Sequence, residues 1–144
     1  MPYHHSRRHI RHYEVPGCAV HVTWRLKGQQ LVLLPWERTI TLDVIRRSRD
    51  FGCAIHAAVI MDDHTHVLFS PGNERTSVEF VTSWKSNSSR LICRAGARTA
   101  PLWQRDFYQR WIRSPDHLER CATYIRANPA RRWPGIVTYP WTLP

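Results

Sequence analysis

Two histidines one residue apart, in His64-Thr65-His66, are the sharpest chemical feature of the chain. On an extended strand, residues i and i+2 project to the same face, so these imidazoles stand side by side. Such a pair can grip one metal ion or one phosphate. Two half-buried histidines with ordinary hydrogen bonds fit the same short pattern, which alone does not choose between the readings. A second feature is Tyr124 with Asn128, four residues apart and so one turn apart on one helix face. Leu118, Ala122 and Ile125 mark a different, apolar stripe that faces a core. A tyrosine at the margin of that stripe, followed by an Asn that ends the helix, is the plain alternative. The third feature is a run of alternating aromatic and basic residues: Trp103, Arg105, Phe107, Tyr108, Arg110, Trp111 and Arg113. Arginines hold phosphates and aromatic rings stack on unpaired bases. An amphipathic strand whose aromatics fill the core shows the same alternation.

Together these groups suit metal-assisted phosphodiester chemistry. A phenol with a pKa of about 10 is a poor nucleophile at neutral pH. A divalent cation polarises the phosphate and neutralises developing charge. Two imidazoles and an Asn carbonyl leave coordination positions open for phosphate oxygen and water. A tyrosine can then attack phosphorus and hold one end of the strand covalently. The bond energy is retained, so rejoining needs no nucleotide cofactor. On the residues alone, Tyr108 rivals Tyr124 as nucleophile.

Those side chains need elements to hold them. Pro16-Gly17 signals a turn. Residues 18–26 (CAVHVTWRL) then read as a strand, with Val20, Val22 and Trp24 on one face and His21, Thr23 and Arg25 on the other. Residues 35–50 read as a helix, Leu42 and Ile45 inward and Arg46, Arg47 and Arg49 outward, stopped near Gly52. The apolar run 53–61 and the run 64–70 form a hairpin across Asp62-Asp63. Thr76-x-x-Glu79 is a capping box, opening a helix that carries Phe80, Val81, Trp84, Leu91 and Ile92 at helical spacing. Lys85, Arg90 and Arg94 lie off that stripe. Residues 102–113 read as extended. Ser114-Pro115-Asp116 starts a last helix that runs to about Asn128 and stops at Pro129. The tail from Trp133 is too rich in Pro for regular structure and lays its Trp and Tyr over the core. The order β-α-β-β-α-β, then a helix, is that of the ferredoxin-like split βαβ motif, an α+β fold with a central antiparallel sheet. The extra C-terminal helix carries Tyr124.

The chain has 144 residues, enough for one domain. Residues 16–144 read as that domain. Residues 1–15 read as a basic, flexible arm containing His4, His5, Arg7, Arg8, His9, Arg11 and His12, with metal binding there a minor alternative. Lys and Arg number 21 against 11 Asp and Glu, a formal charge of +10 that points to a polyanion such as nucleic acid. No apolar run approaches the roughly 20 residues of a membrane span, and no secretory signal opens the sequence. Cys18, Cys53, Cys93 and Cys121 form no C-x-x-C pair, which argues against a zinc ribbon and for reduced thiols in a cytoplasmic protein.

The stretches VHVTWRL (20–26), AAVIMDDHTHVLFSP (57–71), LWQRDFYQRWIRSPDHLERCATYIRANP (102–129) and the late YPW resemble the single-tyrosine HUH transposases, in the branch of REP-associated tyrosine transposases. The resemblance covers most of residues 16–141, in order. It implies a metal-dependent single-stranded DNA nicking and rejoining activity through a 5′-phosphotyrosine. His64 and His66 take the HUH positions and would bind Mg²⁺ or Mn²⁺. Tyr124 takes the nucleophile position, which demotes Tyr108, and Asn128 that of the third, polar ligand. The substrate implied is single-stranded DNA with imperfect hairpins, such as repetitive extragenic palindromes. Arg25, Lys85, Arg90, Trp103, Arg105, Tyr108, Arg110 and Arg113 are the expected DNA contacts. Two departures stand out. The middle residue of the HUH triplet is Thr65, usually apolar, and Asp62-Asp63 replaces the usual Pro-Asn. Two carboxylates there could tighten a metal or repel DNA. Alternatives are a non-catalytic hairpin-binding module on the same fold and a phosphodiesterase that uses water. Monomer and dimer both remain open, with the monomer favoured.

Overall fold

The computed structural model describes residues 11–28, 30–96 and 98–144. Its elements run β1 (Val20–Arg25), α1 (Pro35–Arg47), β2 (Ala54–Ile60), β3 (His64–Ser70), α2 (Ser77–Ala95), β4 (Tyr108–Trp111), α3 (Pro115–Arg132) and β5 (Thr142–Leu143). The five strands form one sheet in the order β4-β1-β3-β2-β5, each neighbouring pair antiparallel. The first four strands with α1 and α2 make the expected split βαβ arrangement, and α3 follows.

Strand β1 alternates as its sequence does. Val20, Val22 and Trp24 are buried on the side of α1 and α2, where they meet Phe69, Phe80 and Trp84. The Phe69 and Trp84 ring centroids lie 4.7 Å apart. Burying each such side chain contributes about 1.5–3 kcal/mol. Ala122 and Ile125 of α3 pack on the opposite side of the sheet, against Ala57, Val59 and Leu68. The helix starts follow local chemistry. Thr76 Oγ1 accepts from the Glu79 amide and Ser114 Oγ from the His117 amide, each at 3.1 Å.

Several expectations change in detail. The helix begun at Pro35 tightens at Ser48–Phe51 into a 3₁₀ turn, closed by Gly52 at φ 81°. Only Tyr108–Trp111 of the expected 102–113 strand pairs as one, with an isolated bridge between Leu26 and Trp103. Helix α3 does not stop before Pro129 but continues to Arg132. Proline removes one backbone bond, to Ile125, and its ring crowds that turn. The turn nevertheless closes, because the Trp133 amide reaches the Pro129 carbonyl at 2.8 Å and Arg132 pairs with Asp62 at 3.0 Å. The C-terminal tail adds a fifth strand, two residues long and so without a readable period, beside β2. Its aromatics do cover the core: Trp133 stacks on Tyr139 with centroids 5.6 Å apart.

Of the expected N-terminal arm, residues 1–10, with His4, His5, Arg7, Arg8 and His9, lie outside the described residues. His12 stacks on Phe107 at 3.8 Å, and the Glu14 carboxylate accepts from the Ser77 amide at 3.1 Å. All four cysteines are free thiols. Among the described residues, no helix is long and apolar enough to cross a membrane.

Candidate active site

The sheet register builds the site. Thr23 lies opposite His66 and Arg25 opposite His64 across β1 and β3, while Thr23 and His21 lie opposite Tyr108 and Arg110 across β1 and β4. Residues facing each other in a ladder share a side of the sheet. His64, His66, Arg25, Thr23, His21, Tyr108 and Arg110 therefore share one surface, the one that α3 covers only in part.

The two imidazoles of the H-x-H pair meet edge to face, their centroids 4.9 Å apart. Each ring is held at Nδ1. His64 Nδ1 lies 2.6 Å from Asp63 Oδ1. His66 Nδ1 lies 3.0 Å from His21 Nε2 and 3.0 Å from Thr23 Oγ1. Among the described residues, neither ring has a hydrogen-bond partner at Nε2. Histidines that bind a metal through one nitrogen are commonly fixed at the other in this way.

Electrostatics favour neutral rings at His66 and His21. Burial pushes His66 down to about 3, with His21, His64, Arg25 and Arg131 adding to the effect. Burial, then Arg110 and His117, push His21 down to about 4. A neutral imidazole keeps the lone pair that a metal needs. Burial alone would raise the Asp63 carboxyl. The His64 hydrogen bond, with Arg132 and Arg25 nearby, outweighs that effect and holds it below the usual carboxylate range. Asp62 turns the other way, buried and paired with Arg132. Asp63 Oδ1 thus orients His64 and Asp62 Oδ2 ties the end of α3, while Asp62 Oδ1 is buried without a hydrogen-bond partner among the described residues.

Helix α3 brings Tyr124 to the same place. Its ring is edge-on to His66 at 5.9 Å, and 6.5 Å from His21. The Arg131 guanidinium lies 4.1 Å over the Tyr124 ring and donates to the Tyr124 carbonyl at 3.0 Å. Asn128 donates its side-chain amide to that carbonyl at 3.1 Å, leaving the amide oxygen as the atom available to a cation. No three of His, Cys, Asp or Glu gather as a metal site among the described residues. A cation held by His64 and His66 would take its other ligands from Asn128, water or substrate. A cleft of about 660 Å³ adjoins the group, lined among others by Arg25, His66, Tyr108, Arg110, Arg120 and Tyr124.

Residues 14–128 match the model of the IS200-like transposases. The chain belongs to the IS200-like transposase family. Two solved structures share its fold. One is a REP-associated tyrosine transposase bound to a REP hairpin: TM-score 0.73, 22% identity, covering 93% of this chain and 81% of that one. The other is a provisionally assigned transposase from Deinococcus radiodurans: TM-score 0.57, 20% identity, covering 82% and 93%. No curated protein matches the sequence.

In this IS200-like transposase, the expected DNA contacts divide. Arg25, Tyr108 and Arg110 line the cleft beside His66 and Tyr124. Lys85, Arg90, Trp103 and Arg105 line a separate cavity of about 590 Å³, bordered by α2 and the segment before β4. Trp103 is a correction: it is 3% exposed, edge-on to Trp24, and donates from Nε1 to buried Ser88 at 2.8 Å, so it cannot stack on a base. Lys85 is largely committed, donating to the Arg105 carbonyl at 2.8 Å, and its partial burial lowers its pKa. Arg113 is exposed, and its backbone amide donates to His117 Nδ1. His21 and Arg131 join the site without having been singled out from sequence. The period-two face of β1 already displayed His21 beside Thr23 and Arg25. Nothing in the spacing of α3 marked Arg131.

Proposed function

We propose that this transposase nicks and rejoins single-stranded DNA at hairpin-forming sequences, with Tyr124 as the nucleophile. The observation that carries the reading is the edge-on approach of Tyr124 to His66, beside His64, in a cleft rimmed by arginines. His64 and His66 would offer two imidazole nitrogens and Asn128 a carbonyl oxygen, and an Mg²⁺ or Mn²⁺ ion there would complete its shell with oxygens of water and substrate. Such an ion, when bound, polarises the scissile phosphate and offsets charge developing on its oxygens.

The chain's own residues supply the rest. The Tyr124 hydroxyl gives up its proton to water in the cleft as its oxygen bonds to phosphorus, and the departing 3′ oxygen takes a proton from water in turn. The bond from phosphorus to the 3′ oxygen of the preceding nucleotide breaks, leaving a free 3′-hydroxyl and a 5′-phosphotyrosine. Attack by a 3′-hydroxyl reverses the step and restores the phenol. Arg131 clamps the tyrosine ring, and Arg25 and Arg110 hold flanking phosphates. That the structural relative at TM-score 0.73 was solved with a REP hairpin supports an imperfect hairpin of this kind as substrate. The expected setting is the bacterial cytoplasm.

The test is an adduct assay. Labelled single-stranded hairpin oligonucleotides are mixed with protein and Mn²⁺, or with EDTA. A covalent protein–DNA band that needs Mn²⁺ and vanishes in Tyr124→Phe is expected. Tight hairpin binding with no adduct on any hairpin would instead favour a non-catalytic binding module. Metal-dependent cleavage surviving in Tyr124→Phe would favour hydrolysis by water.

A further inference from the structure

His21 is a polar ring on a mostly buried strand position. A buried imidazole needs a partner, and here the partner is another imidazole, that of His66, at 3.0 Å. A neutral imidazole carries one proton, on one of its two nitrogens, and the neighbouring hydrogen bond selects which. For Nε2 of His66 to offer a lone pair, its proton must sit on Nδ1. The two groups that meet Nδ1 are His21 Nε2 and Thr23 Oγ1, both from β1. The pairing of Thr23 with His66 in the ladder fixes their approach. His64 is served differently, by the Asp63 carboxylate. The two members of the H-x-H pair thus have separate supports of different chemistry.

We propose that His21 is a positioning residue. It accepts the Nδ1 proton of His66 at its own Nε2, and so turns His66 Nε2 toward the cleft as a metal ligand. This rests on the metal-dependent reading given above. His21 touches neither metal nor substrate in this role. Its imidazole lone pair is a stronger acceptor than the Thr23 hydroxyl, and it sets the tautomer.

The closing experiment measures Mn²⁺ affinity on the full chain without DNA, by the free-Mn²⁺ electron spin resonance signal, with a thermal melt of each variant. His21→Leu, which has no acceptor, is expected to weaken Mn²⁺ by about 10- to 100-fold. His21→Gln places an amide oxygen near the same point and is expected to stay within a few-fold of wild type. A merely structural role would lower the melting temperature of both and would not separate them by acceptor. Long-range ¹H–¹⁵N spectra of the wild-type protein need no variant, and they should show the His66 proton on Nδ1. A proton on Nε2, unchanged Mn²⁺ affinity in His21→Leu, or equal loss in His21→Gln and His21→Leu would each overturn the proposal. Wild type that fails to bind Mn²⁺, or binding that survives His66→Ala, would overturn the metal reading itself and this proposal with it. Binding lost in His66→Ala but kept in His21→Leu overturns the role of His21 alone.

Discussion

The Tyr124 ring meets His66 edge-on, with centroids 5.9 Å apart and planes at 89°. Arg131 lies over the face of the same ring, 4.1 Å from its centroid. The tyrosine is thus held from two sides while remaining partly open to the cleft. A nucleophile held near its attack geometry gains rate that a loosely placed one lacks. Arg131→Ala should therefore slow hairpin cleavage by about 10- to 100-fold, since small misplacements cost that much. Mn²⁺ affinity should not fall, because Arg131 supplies no ligand and its positive charge beside His66 opposes a cation. Single-turnover cleavage and Mn²⁺ titration on the same variant check the two halves.

Arg25 and Arg110 flank the site on neighbouring strands, and both are exposed in the cleft. Each phosphate contact to a single strand contributes about 0.7 to the slope of log affinity against log salt. Arg110→Ala should weaken hairpin binding at low salt and flatten that slope by about 0.7. Binding measured by fluorescence anisotropy across a salt series checks it. An unchanged slope would remove Arg110 from the DNA path.

The pair Arg98–Glu37 concerns stability alone. Glu37 is 1% exposed, and Arg98 meets its two oxygens at 2.6 and 2.9 Å while also donating to the Leu31 and Val32 carbonyls. Removing one partner leaves a buried charge uncompensated. Arg98→Ala should cost about 3 kcal/mol in urea unfolding, at the low end for such losses because the Leu34 amide still donates to Glu37. Arg98→Lys should recover little, since an ammonium cannot span both carboxylate oxygens and two carbonyls.

Tyr139 sets an alkaline limit. Its hydroxyl donates to the Ile60 carbonyl. Burial pushes its pKa up to about 12, with Arg38 opposing and Asp62 adding. The folded state therefore holds this proton more tightly than the unfolded state. The stability it contributes is whole below pH 10 and is lost as pH rises from about 10 to 12. Tyr139→Phe should be less stable at pH 8 but show a shallower loss across that window. Chemical denaturation at several pH values reads both.

Much of this site was legible in the sequence because strand and helix periods are short-range facts. His64 and His66 share a face by the i, i+2 rule, and Tyr124 clears the stripe of Ala122 and Ile125 by the helical one. The partnership of His21 with His66 was not legible. It depends on which residue of β1 lies beside which residue of β3, a register set by the whole sheet. The run from Trp103 to Arg113 misled for a related reason. Alternation marks two faces without saying which is buried, and Trp103 fell inward onto Ser88 while Arg110 fell toward the cleft. Pro129 misled because the helix continues through it for one more turn, with the Trp133 amide on the Pro129 carbonyl and Arg132 paired with Asp62.

The central claim is that Tyr124, and no other tyrosine, takes up the 5′-phosphate. Tyr108 lines the same cleft and is 64% exposed, so it is the natural rival. Trypsin separates them, placing Tyr124 in the peptide CATYIR and Tyr108 in DFYQR. The Mn²⁺-dependent adduct with a hairpin oligonucleotide should be digested with nuclease and trypsin and analysed by tandem mass spectrometry. A 5′-nucleotide mass on CATYIR is the predicted result. The same mass on DFYQR would contradict the assignment and make Tyr108 the nucleophile.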